Sequence, residues 1–240
     1  MFHEFLKRYT TFTNWWRFVP PFNRLRFDVV AQLRNGPKIL IKDLRSVDYA
    51  TVVAIGGADS YHLSEIQNPS VIVDVGAHIG IFSLIVARRF PKATVYAIEP
   101  DPDNYEQLLH NITLNNCSNI VPLNIAVSAD YGSAILYKSQ SSVAHSIVES
   151  AGIGEPIKVE TIPLSKFTKI DALKFDAEGA EYLIKDIPAV AYIAIEVHKF
   201  PGMDMQRLIT KIKTQFTIIK EETEKTGHVT LVGVGSNQKS

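Results

Sequence analysis

Two rhythms of apolar and polar residues divide this chain. Before about Pro69 the pattern is irregular; beyond it, short apolar runs alternate with amphipathic stretches. The first regular unit reads Val71-Ile72-Val73-Asp74-Val75-Gly76-Ala77-His78-Ile79-Gly80, an apolar strand ending in an acid and then a glycine-punctuated turn. Apolar positions from Ile79 to Phe90 recur with a helical period. Further strands are predicted near residues 95–98, 120–123, 172–175 and 191–197, with helical patterns between the earlier ones, as parallel βαβ units require. Asp101 can cap the second helix, Pro102 suits its first position and Asp103 favours its positive end. Tyr105, Leu108, Leu109 and Ile112 are predicted to face the sheet. Runs at 133–138 and 143–148 read as an inserted hairpin around 139–142, which 158–162 extends. After a helix near 204–213, strands at 216–220 and 228–234 share a short connection and are predicted antiparallel.

The N-terminal pattern is aromatic. Phe2, Phe5, Tyr9 and Phe12 recur at helical spacing, followed by Trp15, Trp16, Phe18 and Phe22. Such a face suits a helix packed across the main domain, a lid over a substrate, or a homodimer contact. Residues 37–42 look strand-like, and Ile55-Gly56-Gly57-Ala58-Asp59 reads as a turn. The chain is thereby divided into an accessory or lid region, 1–69, and an α/β domain, 70–240.

Composition narrows the function classes. At 240 residues the chain supports one sizeable core. With 25 basic against 25 acidic residues it has no global pull toward nucleic acid, and no nucleic-acid partner is expected. The single Cys117 excludes an internal disulfide and a cysteine-cluster zinc site, and fits a cytoplasmic location. No apolar run approaches the ~20 residues needed to span a bilayer, and Lys7 and Arg8 are not followed by the apolar block of a signal peptide.

The chemistry concentrates at strand ends. Glu99 closes the second strand, where a ribose diol needs an acceptor of two hydrogen bonds. The turn before it has the spacing Gly76-x-x-x-Gly80, without the additional glycine that admits a dinucleotide pyrophosphate. Asp74 just before that turn would repel a pyrophosphate and suits a ligand with a cationic amino-acid end, as S-adenosylmethionine has. Lys174-Phe175-Asp176-Ala177-Glu178-Gly179-Ala180-Glu181 repeats the strand–acid–glycine logic, and His198 ends the next strand after Glu196. In an open parallel sheet all of these reach one edge, outside the carboxyl ends of the strands.

From Val71 onward these segments, with Ile98-Glu99-Pro100 and Asn124-Ile125-Ala126-Val127, resemble the FkbM family of S-adenosylmethionine-dependent methyltransferases. The resemblance implies a Rossmann-like class I methyltransferase fold, with a seven-stranded, mostly parallel sheet, an antiparallel C-terminal strand and helices on both faces. It implies S-adenosylmethionine as cofactor and, usually, O-methylation of a small-molecule or sugar hydroxyl. By the same resemblance Asp74, Gly76 and Gly80 frame the methionine end, Glu99 takes the ribose, and Asn124 and Ala126 lie near the adenine. His78 stands where such turns often carry Asn, and either offers a polar contact. For the catalytic proton His198 is the first candidate base because an unperturbed imidazole titrates near neutrality; Asp176 and Glu178 follow. Asp176, Glu178 and His198 are also a conceivable cation set, but no close His-x-x-x-His pair supports one and no metal ligands are expected. Two rivals are a nicotinamide-dependent oxidoreductase, disfavoured by the missing glycine and the lack of any Tyr-x-x-x-Lys pair, and a non-catalytic protein retaining the fold.

Overall fold

In the computed structural model, which describes residues 11–14, 28–42, 47–58, 60–138, 146 and 156–235, the regular region begins where the hydrophobic rhythm changes. Upstream of it lie strands β1 (Val29–Gln32) and β2 (Lys38–Ile41) and helix α1 (Val47–Ala58). Then follow β3 (Val71–Val75), α2 (Ile81–Arg89), β4 (Thr94–Ile98), α3 (Pro102–Asn115) and β5 (Ile120–Leu123). Three strands come next, β6 (Ala126–Val127), β7 (Gly132–Tyr137) and β8 (Pro156–Ile162). The C-terminal part adds β9 (Ala172–Phe175), β10 (Tyr192–Val197), α4 (Met205–Gln215), β11 (Phe216–Thr223) and β12 (Val229–Gly235).

Seven of these strands form one sheet in the order β11-β12-β10-β9-β3-β4-β5. The pairs from β10 to β5 are parallel, and β12 runs antiparallel to both β10 and β11. The sheet matches the fold class expected from the sequence. Pro122 is accommodated in β5 because this strand lies at the sheet edge, where one missing N–H costs no ladder bond. Strand alternation sends Val73, Val75, Leu173, Phe175, Ile193 and Ile195 to one face, packed with Ile209 and Ile212 of α4. Ile72, Ala172 and Ala194 go to the other, packed with α2 and with Leu108 of α3. The start of α3 is as predicted: Asp101 accepts from the N–H groups of Asp103 and Asn104.

Three expectations need correction or narrowing. Residues 55–58 finish α1 instead of turning; a Cβ on Gly56 would come within 2.8 Å of Leu33, so this glycine lets the helix sit close against the β1–β2 hairpin. Leu109 is on the outer side of α3, 38% exposed, while Leu108 is fully buried. The main partner of β7 is β8, paired along six positions, and residue 146 adds a single bridge to Tyr137. Within the accessory segment, Phe12, Val29, Ala31, Ile39 and Ile41 share one hydrophobic core with β3, α2 and α3. Of the N-terminal aromatics only Phe12 is among the described residues; the proposed dimer face otherwise lies outside them, as do residues 139–145 and 147–155.

Candidate active site

A cavity of about 600 Å³ opens at the carboxyl edge of the sheet, a volume ordinary for a site that engulfs a small molecule. Its floor is built from strand ends and turns: Gly76, Ala77 and His78 after β3, Ile98 and Glu99 from β4, and Asp176 to Glu178 after β9. Tyr61 and α1 wall one side, and the β11–β12 hairpin walls another.

At one end the chain has fixed a carboxylate. Glu99 is 5% exposed, and its two oxygens accept from the N–H groups of His78 (2.8 Å) and Asp101 (3.0 Å). Burial pushes its carboxyl up, with the His78 ring and these two amides partly offsetting. Gly76 has φ 74°, and a Cβ there would overlap the Asp176 carbonyl oxygen, so glycine is required for the turns after β3 and β9 to touch. His78 (φ 52°) and Glu178 (φ 44°) also hold left-handed backbone conformations, a strain that concentrates at functional sites. Next to Glu99 lies an apolar slot of Ile98, Ala126, Val127 and Leu136. Apolar lining together with an immobilised carboxylate, near a helix N-terminus with no side-chain cap, is chemically suited to an adenosine moiety.

Three residues assigned to the cofactor from the sequence do not line the cavity: Asp74, Gly80 and Asn124. Asp74 is fully buried, with Oδ1 3.2 Å from the Lys174 ammonium and Oδ2 accepting from the Ser83 hydroxyl at 2.6 Å. Its charge is thus paired with a partner in the neighbouring strand. Gly80 caps α2, and a Cβ on it would meet Leu108 at 2.5 Å. Asn124 donates to the Glu99 and Pro100 carbonyls, holding the backbone that carries the carboxylate.

The other end of the cavity is a carboxylate nest around His198. This side chain is 1% exposed. Its Nδ1 lies 3.1 Å from Glu181 Oε1, which also accepts from the His198 N–H at 2.8 Å. Nε2 then faces Glu178 at 3.4 Å, with Asp176 and Glu196 each at 3.7 Å. Burial alone would lower the imidazole, but Glu178 and Glu181, then Asp176, push it up to about 11. These carboxylates favour the protonated imidazole, which weighs against His198 as the group that accepts a proton. Burial, reinforced by Asp176, raises Glu196 to about 8. For Asp176 burial acts upward too, but Lys174 and His198, with the Tyr61 hydroxyl donating at 3.1 Å, hold it below the usual carboxylate range.

Asp176, Glu178 and His198 are therefore brought together, as the sequence implied. Lys174, Glu181 and Glu196 were placed at this edge from the sequence but given no role, and Tyr61 and His228 were not placed there. Lys174 stands in register opposite Asp74, a pairing that only the folded sheet supplies. Tyr61 and His228 reach the site from distant elements and left no local signal.

The Methyltransferase FkbM domain matches residues 74–223, more than half of the chain. Methyltransferase sdnD of Sordaria araneosa is 27% identical over 158 residues, covering 50% of this chain and 61% of that protein. The hexuronic acid methyltransferase AglP of Haloferax volcanii is 23% identical over 168 residues, covering 66% of this chain and 69% of its own length. The chain thus spans only about three fifths of the first of these relatives. Among solved structures, TYW2 of P. horikoshii in complex with MeSAdo aligns with 88% of this chain and 72% of its own, at 18% identity and a TM-score of 0.49. No helix among the described residues is long and apolar enough to cross a membrane. Because the matched stretch carries the glycine turn, Glu99 and the whole segment from Lys174 to His198, the chain belongs to the FkbM family of methyltransferases, whose cofactor is S-adenosylmethionine.

Proposed function

We propose that this chain is an O-methyltransferase acting on a hydroxyl of a small-molecule or sugar acceptor. The observation that carries the reading is one cavity with two unlike ends: a slot and fixed Glu99 suited to adenosine, and a nest of carboxylates suited to a hydroxyl. When bound, S-adenosylmethionine would supply an electrophilic methyl group for transfer to the acceptor oxygen, with the electron pair of the broken carbon–sulfur bond left on sulfur.

The chain's own residues hold and orient. Glu99 receives the ribose hydroxyls, while Ile98, Ala126 and Val127 exclude water from the base. Gly76, Ala77 and His78 border the middle of the cavity, where the reacting carbon and oxygen must align for in-line displacement. Asp176 and Glu178 are the acceptors available for the hydroxyl proton, and His198 positions both through its buried ring. Asp176, Glu178, Glu196, Glu222 and Glu224 line the cavity together with Lys174, Lys220, His198 and His228, a set of hydrogen-bonding groups that suits a polyhydroxy acceptor. The Haloferax volcanii relative, named for a hexuronic acid, supports a sugar-like acceptor.

Calorimetry with S-adenosylhomocysteine, followed by labelled-methyl transfer to a panel of sugars and small alcohols, tests the reading. Binding with label recovered as an alkali-stable methyl ether is the expected result. Tight NAD binding without S-adenosylhomocysteine binding, or cofactor binding with label only on nitrogen or carbon, would overturn it.

A further inference from the structure

The sole antiparallel neighbour of β10 begins at the edge where β10 ends. Register pairs Glu196 with Thr230 and Val197 with Val229. One step further sets His198 opposite His228, and their ring centroids are 4.7 Å apart. Glu196 Oε1 lies 3.7 Å from His198 Nε2 and 3.9 Å from His228 Nδ1, and one donor atom from each of the three residues falls within 4.8 Å of the others. Separations of 3.7–3.9 Å are too long for hydrogen bonds. They are close to the ~3.0–3.5 Å between donors that share one ion at ~2.1 Å.

A second observation concerns orientation. Glu181 is buried and fixes the His198 ring by accepting at Nδ1, so that Nε2 is aimed at the cluster. That carboxylate–imidazole arrangement is how proteins present a histidine to a metal. Glu178 and Asp176, at 3.4 and 3.7 Å from the same nitrogen, offer further oxygens. We propose that Glu196, His198 and His228 bind a divalent first-row transition ion at the acceptor end of the cavity, with Glu181 as the positioning residue. Two imidazoles among carboxylates suit manganese, iron or zinc better than magnesium. Such an ion would take the place of the Nε2 proton and offset the excess of carboxylates at this end. It also defines a substrate class within the proposed function, on which this last step rests: acceptors presenting two adjacent oxygens, as a vicinal diol or hydroxy acid does. Coordination lowers the pKa of the bound hydroxyl, and its proton then passes to a neighbouring carboxylate.

The test uses the full chain stripped with chelator. Manganese is followed by loss of its free-ion electron paramagnetic resonance signal, zinc by calorimetry, and cobalt by its visible absorption. S-adenosylhomocysteine is titrated in parallel on every sample. One ion per chain is expected, with cobalt bands showing nitrogen ligation and manganese not displaced by equimolar magnesium. Glu196→Ala and His228→Ala are expected to weaken ion affinity at least a hundredfold, and Glu181→Gln ten- to a hundredfold, with S-adenosylhomocysteine affinity changed less than threefold. No ion uptake by the unmutated chain, a cobalt spectrum without nitrogen ligands, or unchanged affinity in both alanine variants would overturn the site. Ion uptake without S-adenosylhomocysteine binding would instead count against the methyl-transfer reading and leave the site standing.

Discussion

Asp74 and Lys174 meet in register across β3 and β9, both essentially excluded from water. The lysine also donates to the Gly76 carbonyl at 2.6 Å, so one cation ties the first glycine turn to the strand that carries Asp176. Burial alone would lower the Lys174 ammonium, yet Asp74 and then Asp176 raise it. Removing one member of a buried pair leaves an uncompensated charge, so Lys174→Met is expected to cost about 3–5 kcal/mol. Urea unfolding measures it, and a loss below about 1 kcal/mol would contradict the pairing. Asp74 was legible as an important residue from its place before the glycine turn. Its partner was not, because the chain places them 100 residues apart and only sheet register joins them.

Helix α3 shows the same limit among elements. Gln107, Asn111 and Asn115 lie four apart on one face and pair with the backbone of β2: Asn111 accepts from the Leu40 N–H at 2.8 Å, Gln107 donates to the Leu40 carbonyl, and Asn115 makes both bonds to Lys38. The helix thereby satisfies the open edge of a two-stranded ribbon that would otherwise invite pairing with another chain. Asn111 also donates to the Ile79 carbonyl. Asn111→Ala strands buried partners on both sides, and a destabilisation of about 2–4 kcal/mol is expected by chemical denaturation. Asp171 makes a comparable link, accepting from the N–H groups of Ser70 (2.7 Å) and Val71 (2.9 Å) where β3 begins. Burial would raise its carboxyl, but these amides and Lys169 hold it below the usual range. Its contribution is therefore complete above the unfolded value near ~3.9 and lost as pH falls through the folded one. Asp171→Asn is expected to lower the unfolding temperature at pH 7 and to match the unmutated chain at pH 2; an equal deficit at both would refute the linkage.

At the scale of the molecule, the accessory segment and the sheet share one core, and the cavity is walled by both. Unfolding is accordingly expected as one transition, coincident by fluorescence and circular dichroism; two separated transitions would show an independent lid. A ligand that binds only the folded state stabilises the whole unit, so S-adenosylhomocysteine at a hundred times its Kd should add about 2.7 kcal/mol. An unchanged midpoint at that concentration would remove Glu99 and its slot as the cofactor end.

The sequence by itself determined the strand–helix order, the antiparallel ending, the glycine turn and the acids at strand ends, since these depend on local periodicity and on residues adjacent in the chain. It also carried the family. Tertiary structure alone decided that Asp74 is paired inside the protein, that His198 is buried within a nest of carboxylates, and that His228 and Tyr61 reach the site. Those outcomes depend on sheet register, burial and the summed field of groups far apart in sequence, none of which has a local signature.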